Sequence, residues 1–151
     1  MIFVGRKGSR ADEALECFNG GFYCSQALLS TYCDDLLDKE TAMKLSCGLA
    51  AGMGRLGSTC GAVTGAYLVI GLKHGNCLAG DKKAVERTFS LVQEFDKLFV
   101  EKHGSTNCRE LLGVDLRHGD QTIASERVKA LCPGFVKDAA EILEKVLQPT
   151  V

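Results

Sequence analysis

The sequence predicts an all-α fold, a compact multi-helix bundle. Apolar residues recur at helical spacing along almost the whole chain, and no stretch alternates as a half-buried strand would. Gly and Asx residues also stand where the periodic segments stop and start.

Ala11, Ala14, Leu15 and Phe18 mark a first helix, closed by Gly20-Gly21. Leu28, Leu29, Tyr32, Cys33 and Leu36 form the next apolar stripe. A third helix is expected from about Lys39 to Ala51, with Ala42, Leu45 and Leu49 inward. Residues Gly52 to Thr59 read as a glycine-rich connection. Cys60 to Leu72 is apolar on every side, so this helix is expected at the centre. Within it Gly61 with Gly65, and Ala62 with Ala66, put small residues one turn apart, open to close approach by a backbone or a cofactor. A loop follows from His74 to Gly80. Asp81 suits the N-cap of a long helix to about Lys102, with Val85, Phe89, Val92 and Phe99 on its buried stripe. Asn107-Cys108-Arg109-Glu110 has the form of a capping box, and Gly113 ends that short helix. Two more helices are expected, Thr122 to Leu131 and Phe135 to Leu147. At 151 residues the chain is expected to form a single domain spanning 1–151.

Composition excludes several classes. Net charge is −1, from 18 basic and 19 acidic residues, with no basic block, so nothing invites nucleic acid. There is no Trp, and few aromatic rings are left for base stacking. The first residues carry no apolar stretch of signal-peptide length. The run from Leu56 to Leu72 lacks charge but is marginal as a membrane span and reads better as a buried helix. A cytoplasmic location without membrane contact is therefore expected. No G-x-S-x-G, P-loop or HExxH is present, so a hydrolase or NTPase is unsupported. Whether the protein is an enzyme stays open.

The cysteines carry the chemistry. Eight thiols in a cytosolic chain argue against a structural disulfide framework. Cys24, Cys60, Cys108 and Cys132 each fall where a helix is expected to begin, with Pro133 after Cys132 at a first helical position. A helix start offers unpaired N–H groups and the positive end of a dipole, which favour the thiolate. Thiolate is the form that binds metals and attacks disulfides. Cys17, Cys33, Cys47 and Cys77 read as structural or incidental, although Cys77 lies in a loop and is a candidate reactive thiol.

Two further patterns weigh less. Gly52-Met53-Gly54-Arg55-Leu56-Gly57 matches the dinucleotide-binding string, but it follows a helix, and Cys77 stands where an acidic residue belongs. A flexible hinge that lets Cys60 approach its partners is the preferred reading. His74, His103 and His118 each precede a glycine and read as helix ends.

Gly57-Ser58-Thr59-Cys60-Gly61-Ala62-Val63-Thr64-Gly65 is the most specific segment. With Tyr23-Cys24-Ser25-Gln26-Ala27 before it, and Asn107-Cys108-Arg109-Glu110 and Cys132-Pro133 after it, the chain resembles the redox-active proteins labelled by a CGCAxxGCC cysteine motif. The resemblance runs from the first helix to the last. It implies that Cys24, Cys60, Cys108 and Cys132 are the functional thiols. A similar module occurs in split-Soret cytochromes, where it is associated with an iron–sulfur site; that likeness implies a two-iron cluster and a homodimer. This chain has no Cys-x-x-Cys-His, so covalent haem is not expected.

Chemistry leaves three uses for the quartet: an iron–sulfur cluster, tetrahedral zinc, or metal-free dithiol–disulfide cycling. Spacings of 36, 48 and 24 residues do not select among them. The leading expectation is an iron–sulfur cluster that passes electrons to a redox partner protein. A metal-free thiol–disulfide protein and a structural zinc module are the alternatives.

Overall fold

In a computed structural model the described residues are 8–148. They form α1 (Arg10–Asn19), α2 (Cys24–Tyr32), a short 3₁₀ turn (Asp34–Leu36), α3 (Lys39–Cys47), α4 (Ala50–Gly54), α5 (Gly61–His74), α6 (Lys82–His103), α7 (Cys108–Leu112) and α8 (Gln121–Leu147). Among them no strand forms; the sheet-like element is a lone antiparallel bridge between Thr59 and Asn107. No helix among the described residues is long and apolar enough to cross a membrane.

Side-chain caps start most of the helices. Ser9 accepts from the Asp12 N–H and Asp12 returns the bond to Ser9, a full capping box. Asp38, Asp81 and Asp120 cap α3, α6 and α8. At α2 the Gln26 side chain reaches back to accept from the Tyr23 N–H at 3.0 Å. Asn107 accepts from the Glu110 N–H at 3.0 Å, as expected. Glu110 does not complete the box. It takes the Ser105 hydroxyl, and that hydroxyl in turn accepts from the Asn107 N–H at 2.9 Å.

Helix α5 packs against α2, α4, α6 and α8, and α1 lies between α2 and α8. The α2–α5 crossing is tight because Gly65 faces the Ser25 backbone: a Cβ there would stand 2.8 Å from the Ser25 carbonyl oxygen. Phe95, Phe99, Leu28, Ile70, Val136 and Leu143 are fully buried around this crossing. Tyr32 is buried too, and its hydroxyl donates to Glu144 at 2.7 Å, tying α2 to α8. Beside it Asp34 accepts from Arg10 of α1, which lies over the Tyr32 ring, and from Lys73 of α5.

Several expectations are corrected. Leu45 of the third helix and Phe89 of α6, expected inward, are exposed. Residues 121–147 form one helix, not two, and Pro133 lies inside it. Proline cannot donate to the Lys129 carbonyl, yet flanking packing of Phe135, Val136 and Ala139 into the core carries the helix through. The Gly52–Thr59 stretch is also not an open connection. The third helix stops at Cys47, and Ala51 to Arg55 wind into a left-handed turn, with φ of 58° at Ala51, 64° at Met53 and 67° at Arg55. For residues with a Cβ that conformation costs roughly 1–2 kcal/mol each. Gly52 and Gly54 take the same hand without that cost.

Candidate functional site: a four-cysteine cavity

Cys24 is the first residue of α2, Cys60 the N-cap of α5, and Cys108 the first residue of α7. Cys132 departs from the expectation. It lies in the middle of α8, because the expected break before Pro133 does not occur. The four residues nevertheless line one cavity of about 280 Å³. Each is close enough for its charge to act on others: Cys60 feels Cys24, Cys108 and Cys132.

Cys24, Cys60 and Cys108 are buried and Cys132 is half-buried. Burial therefore dominates their ionisation. It pushes the Cys24 thiol up and the Cys60 thiol well up, the latter helped by the neighbouring Cys24. Cys108 is raised to about 11 and Cys132 to about 12, first by burial and then by the other thiols. The helix-start argument anticipated the opposite sign. The expected donors exist, since the N–H groups of Ala51, Ser25, Cys24 and Gly61 favour the Cys24 thiolate and Ala62 favours that of Cys60. They are outweighed by the loss of water.

Glycines make room for the sulfurs. A Cβ on Gly61 would run into the Cys24 sulfur. On Gly52 it would stand 2.7 Å from the Cys108 Cβ and 3.1 Å from its sulfur. The left-handed turn thus brings bare backbone against Cys108. That turn is hydrogen-bonded onward: Gly52 O accepts from the Ser58 N–H at 2.9 Å, and Ser58 O from the Cys108 N–H at 2.7 Å.

Among the described residues, no group of three or more His, Cys, Asp or Glu side chains is placed to hold a metal ion. The four thiols surround a space instead of closing on a point. The Gly-x-Gly-x-x-Gly string forms the turn and the loop after it, with a helix and no strand before it, so its context is not that of a dinucleotide site. His74 and His103 end α5 and α6 as expected, while His118 lies in the loop before α8.

The remaining cysteines lie outside the cavity lining. Cys33 is buried and Cys17 half-buried, whereas Cys47 and Cys77 are exposed. Sequence reasoning overlooked Arg55 and Lys129, which stand at the cavity wall. Lys129 precedes Cys132 by one helical turn, a signal visible only once α8 is read as continuous.

The family model described as "Putative redox-active protein (C_GCAxxG_C_C)" matches residues 22–146. The chain belongs to this redox-active family. All four cavity cysteines fall within the matched span. No curated protein and no solved structure gives a significant match.

Proposed function

We propose that Cys24, Cys60, Cys108 and Cys132 hold an iron–sulfur cluster, of the two-iron type, and that the protein passes electrons to a partner protein. The observation that carries this reading is the convergence of four thiols, from four separate elements, on the wall of one cavity. An all-thiol donor set of four suits such a cluster. A two-iron cluster asks two sulfurs to meet at each iron, and a four-iron cluster asks one. Neither needs three donors at a single point, which the described residues do not offer. A zinc ion, with bonds near 2.3 Å, needs all four sulfurs about 3.8 Å apart.

Thiol–disulfide cycling in the metal-free protein is less favoured by the site. Thiols raised by burial are protonated at neutral pH and attack slowly. A bound cluster would supply positive charge that ionises the thiols and a centre that accepts and returns one electron. The chain contributes the rest. Gly52 and Gly61 admit close approach, Ala51 and Ala62 aim N–H groups at the sulfurs, and burial limits water.

The test is anaerobic purification followed by a visible spectrum and measurement of iron and sulfide. Matching iron and sulfide are expected, lost on Cys60→Ser and retained in Cys47→Ser and Cys77→Ser. A colourless protein that takes up neither after anaerobic reconstitution rejects the cluster. Zinc content and thiol titration then separate the two alternatives.

A further inference from the structure

The cavity continues beyond the sulfurs. Along α8 its lining runs through Gln121, Ser125, Lys129 and Cys132. At 1.5 Å of rise per residue that face is about 16 Å long, with Cys132 towards one end. Its volume of about 280 Å³ includes the space between the sulfurs, and the remainder extends along α8. Away from the sulfurs the walls are apolar, built from Phe18, Leu111, Leu116 and Val128.

The charge lining this space has one sign. Arg55 and Lys129 are its charged residues, and no Asp or Glu lines it. Neither cation has an ion-pair partner among the described residues. Nearby cations are engaged elsewhere: Arg109 faces Asp115 at 3.4 Å, and Arg127 donates to the Leu112 carbonyl at 3.1 Å. Two unpaired cations over an apolar, acid-free cavity are complementary to an anion with a hydrocarbon body.

We propose that the cavity binds a small organic carboxylate, with its carboxylate at Arg55 and Lys129 and its apolar body along α8 beside the cysteines. The two cations are not sulfur donors, so their contact with a carboxylate does not need the cluster; a cluster would share the cavity and leave the ligand the part along α8 from Gln121 to Lys129.

Ligand-observed fluorine NMR on the anaerobically purified protein tests this, with para-fluorophenylacetate as probe and para-fluorophenethylammonium as its cationic counterpart. Saturable binding of the carboxylate and about tenfold weaker binding of the ammonium are expected. Arg55→Gln and Lys129→Gln each weaken the carboxylate by about three- to fivefold, as for an exposed charge contact, and Arg55→Lys restores most of the loss. Both residues are exposed, so the variants fold. Equal binding of the two probes, non-saturable binding, or variants that bind as the parent does overturns the proposal. Iron and sulfide content judges the sulfurs separately, so either reading can fail without the other.

Discussion

Cys60 and Cys108 are clasped together by their backbones across 48 residues of sequence. The Cys60 N–H donates to the Thr106 carbonyl at 2.8 Å, and the Cys108 N–H donates to the Ser58 carbonyl at 2.7 Å. The Thr59–Asn107 bridge lies between these two bonds. Two cavity cysteines are thereby fixed by main chain, the least adjustable part of the molecule.

Asn107 is where that clasp becomes α7. Its side chain accepts from the Glu110 N–H, and Cys108 is the next residue. Asn107→Ala is expected to lower the stability of the reduced, metal-free protein by about 1 kcal/mol in urea unfolding. It also speeds alkylation of Cys108, because the first turn of α7 frays. An unchanged midpoint and rate would mean that the bridge alone fixes Cys108.

Three glycines separate room for the site from ordinary helix chemistry. Gly71→Ala meets nothing within 4 Å, and removing a helical glycine is expected to stabilise by about 1 kcal/mol. Gly61→Ala drives a methyl into the Cys24 sulfur. Gly52→Ala presses on Cys108 at a backbone φ of +69°. Each of these two is expected to destabilise by about 1–3 kcal/mol and, if the cysteines hold the proposed cluster, to abolish iron uptake. Thermal melts beside iron analysis decide it. Normal iron in Gly61→Ala would show that the Cys24 sulfur can move aside.

Suppressed thiol ionisation sets the behaviour in alkali. Below the ordinary thiol value of 9.0 both folded and unfolded thiols are protonated, and these groups add no pH dependence. Above it the unfolded chain ionises first, while Cys108 and Cys132 wait until about 11 and about 12. The unfolded state then binds fewer protons, so stability falls as pH rises through this window. The slope approaches about 1.4 kcal/mol per pH unit for each such thiol. Urea midpoints of the reduced, metal-free protein at pH 8, 9, 10 and 11 measure it. Cys132→Ser should flatten the decline, and a flat profile in the parent would mean that water reaches the sulfurs.

Helical periodicity and caps were legible in the sequence because they are local. Asp81, Asn107 and the stripe of α1 each announce themselves within a few residues, whereas Phe89 of the expected α6 stripe lies exposed. Cys24, Cys60 and Cys108 were legible as helix-start residues, where the structure places them. What failed depends on packing. Proline at 133 favours a helix start on local grounds, yet α8 runs through it because both flanks bury apolar residues. The left-handed turn from Ala51 to Arg55 has no local signature either, since Ala, Met and Arg disfavour that conformation. The sign of the thiol shifts required knowing how deeply the sulfurs are buried, which helix starts do not reveal.

Pro133 offers the sharpest separation of stability from site geometry. An interior proline removes one helical hydrogen bond and crowds the preceding turn, a cost of about 3 kcal/mol in a free helix. Here that turn carries both Lys129 and Cys132, which line the cavity. Pro133→Ala restores a donor to the Lys129 carbonyl and is expected to raise the urea midpoint of the metal-free protein. If the proline sets the direction of Cys132, the same change alters the rate of Cys132 alkylation and, on the proposed cluster reading, lowers iron and sulfide content. A protein that gains stability and keeps a full complement of iron would show that Cys132 is placed by the packing of Phe135 and Val136 alone. One that gains no stability would show that the bundle already accommodates the missing hydrogen bond.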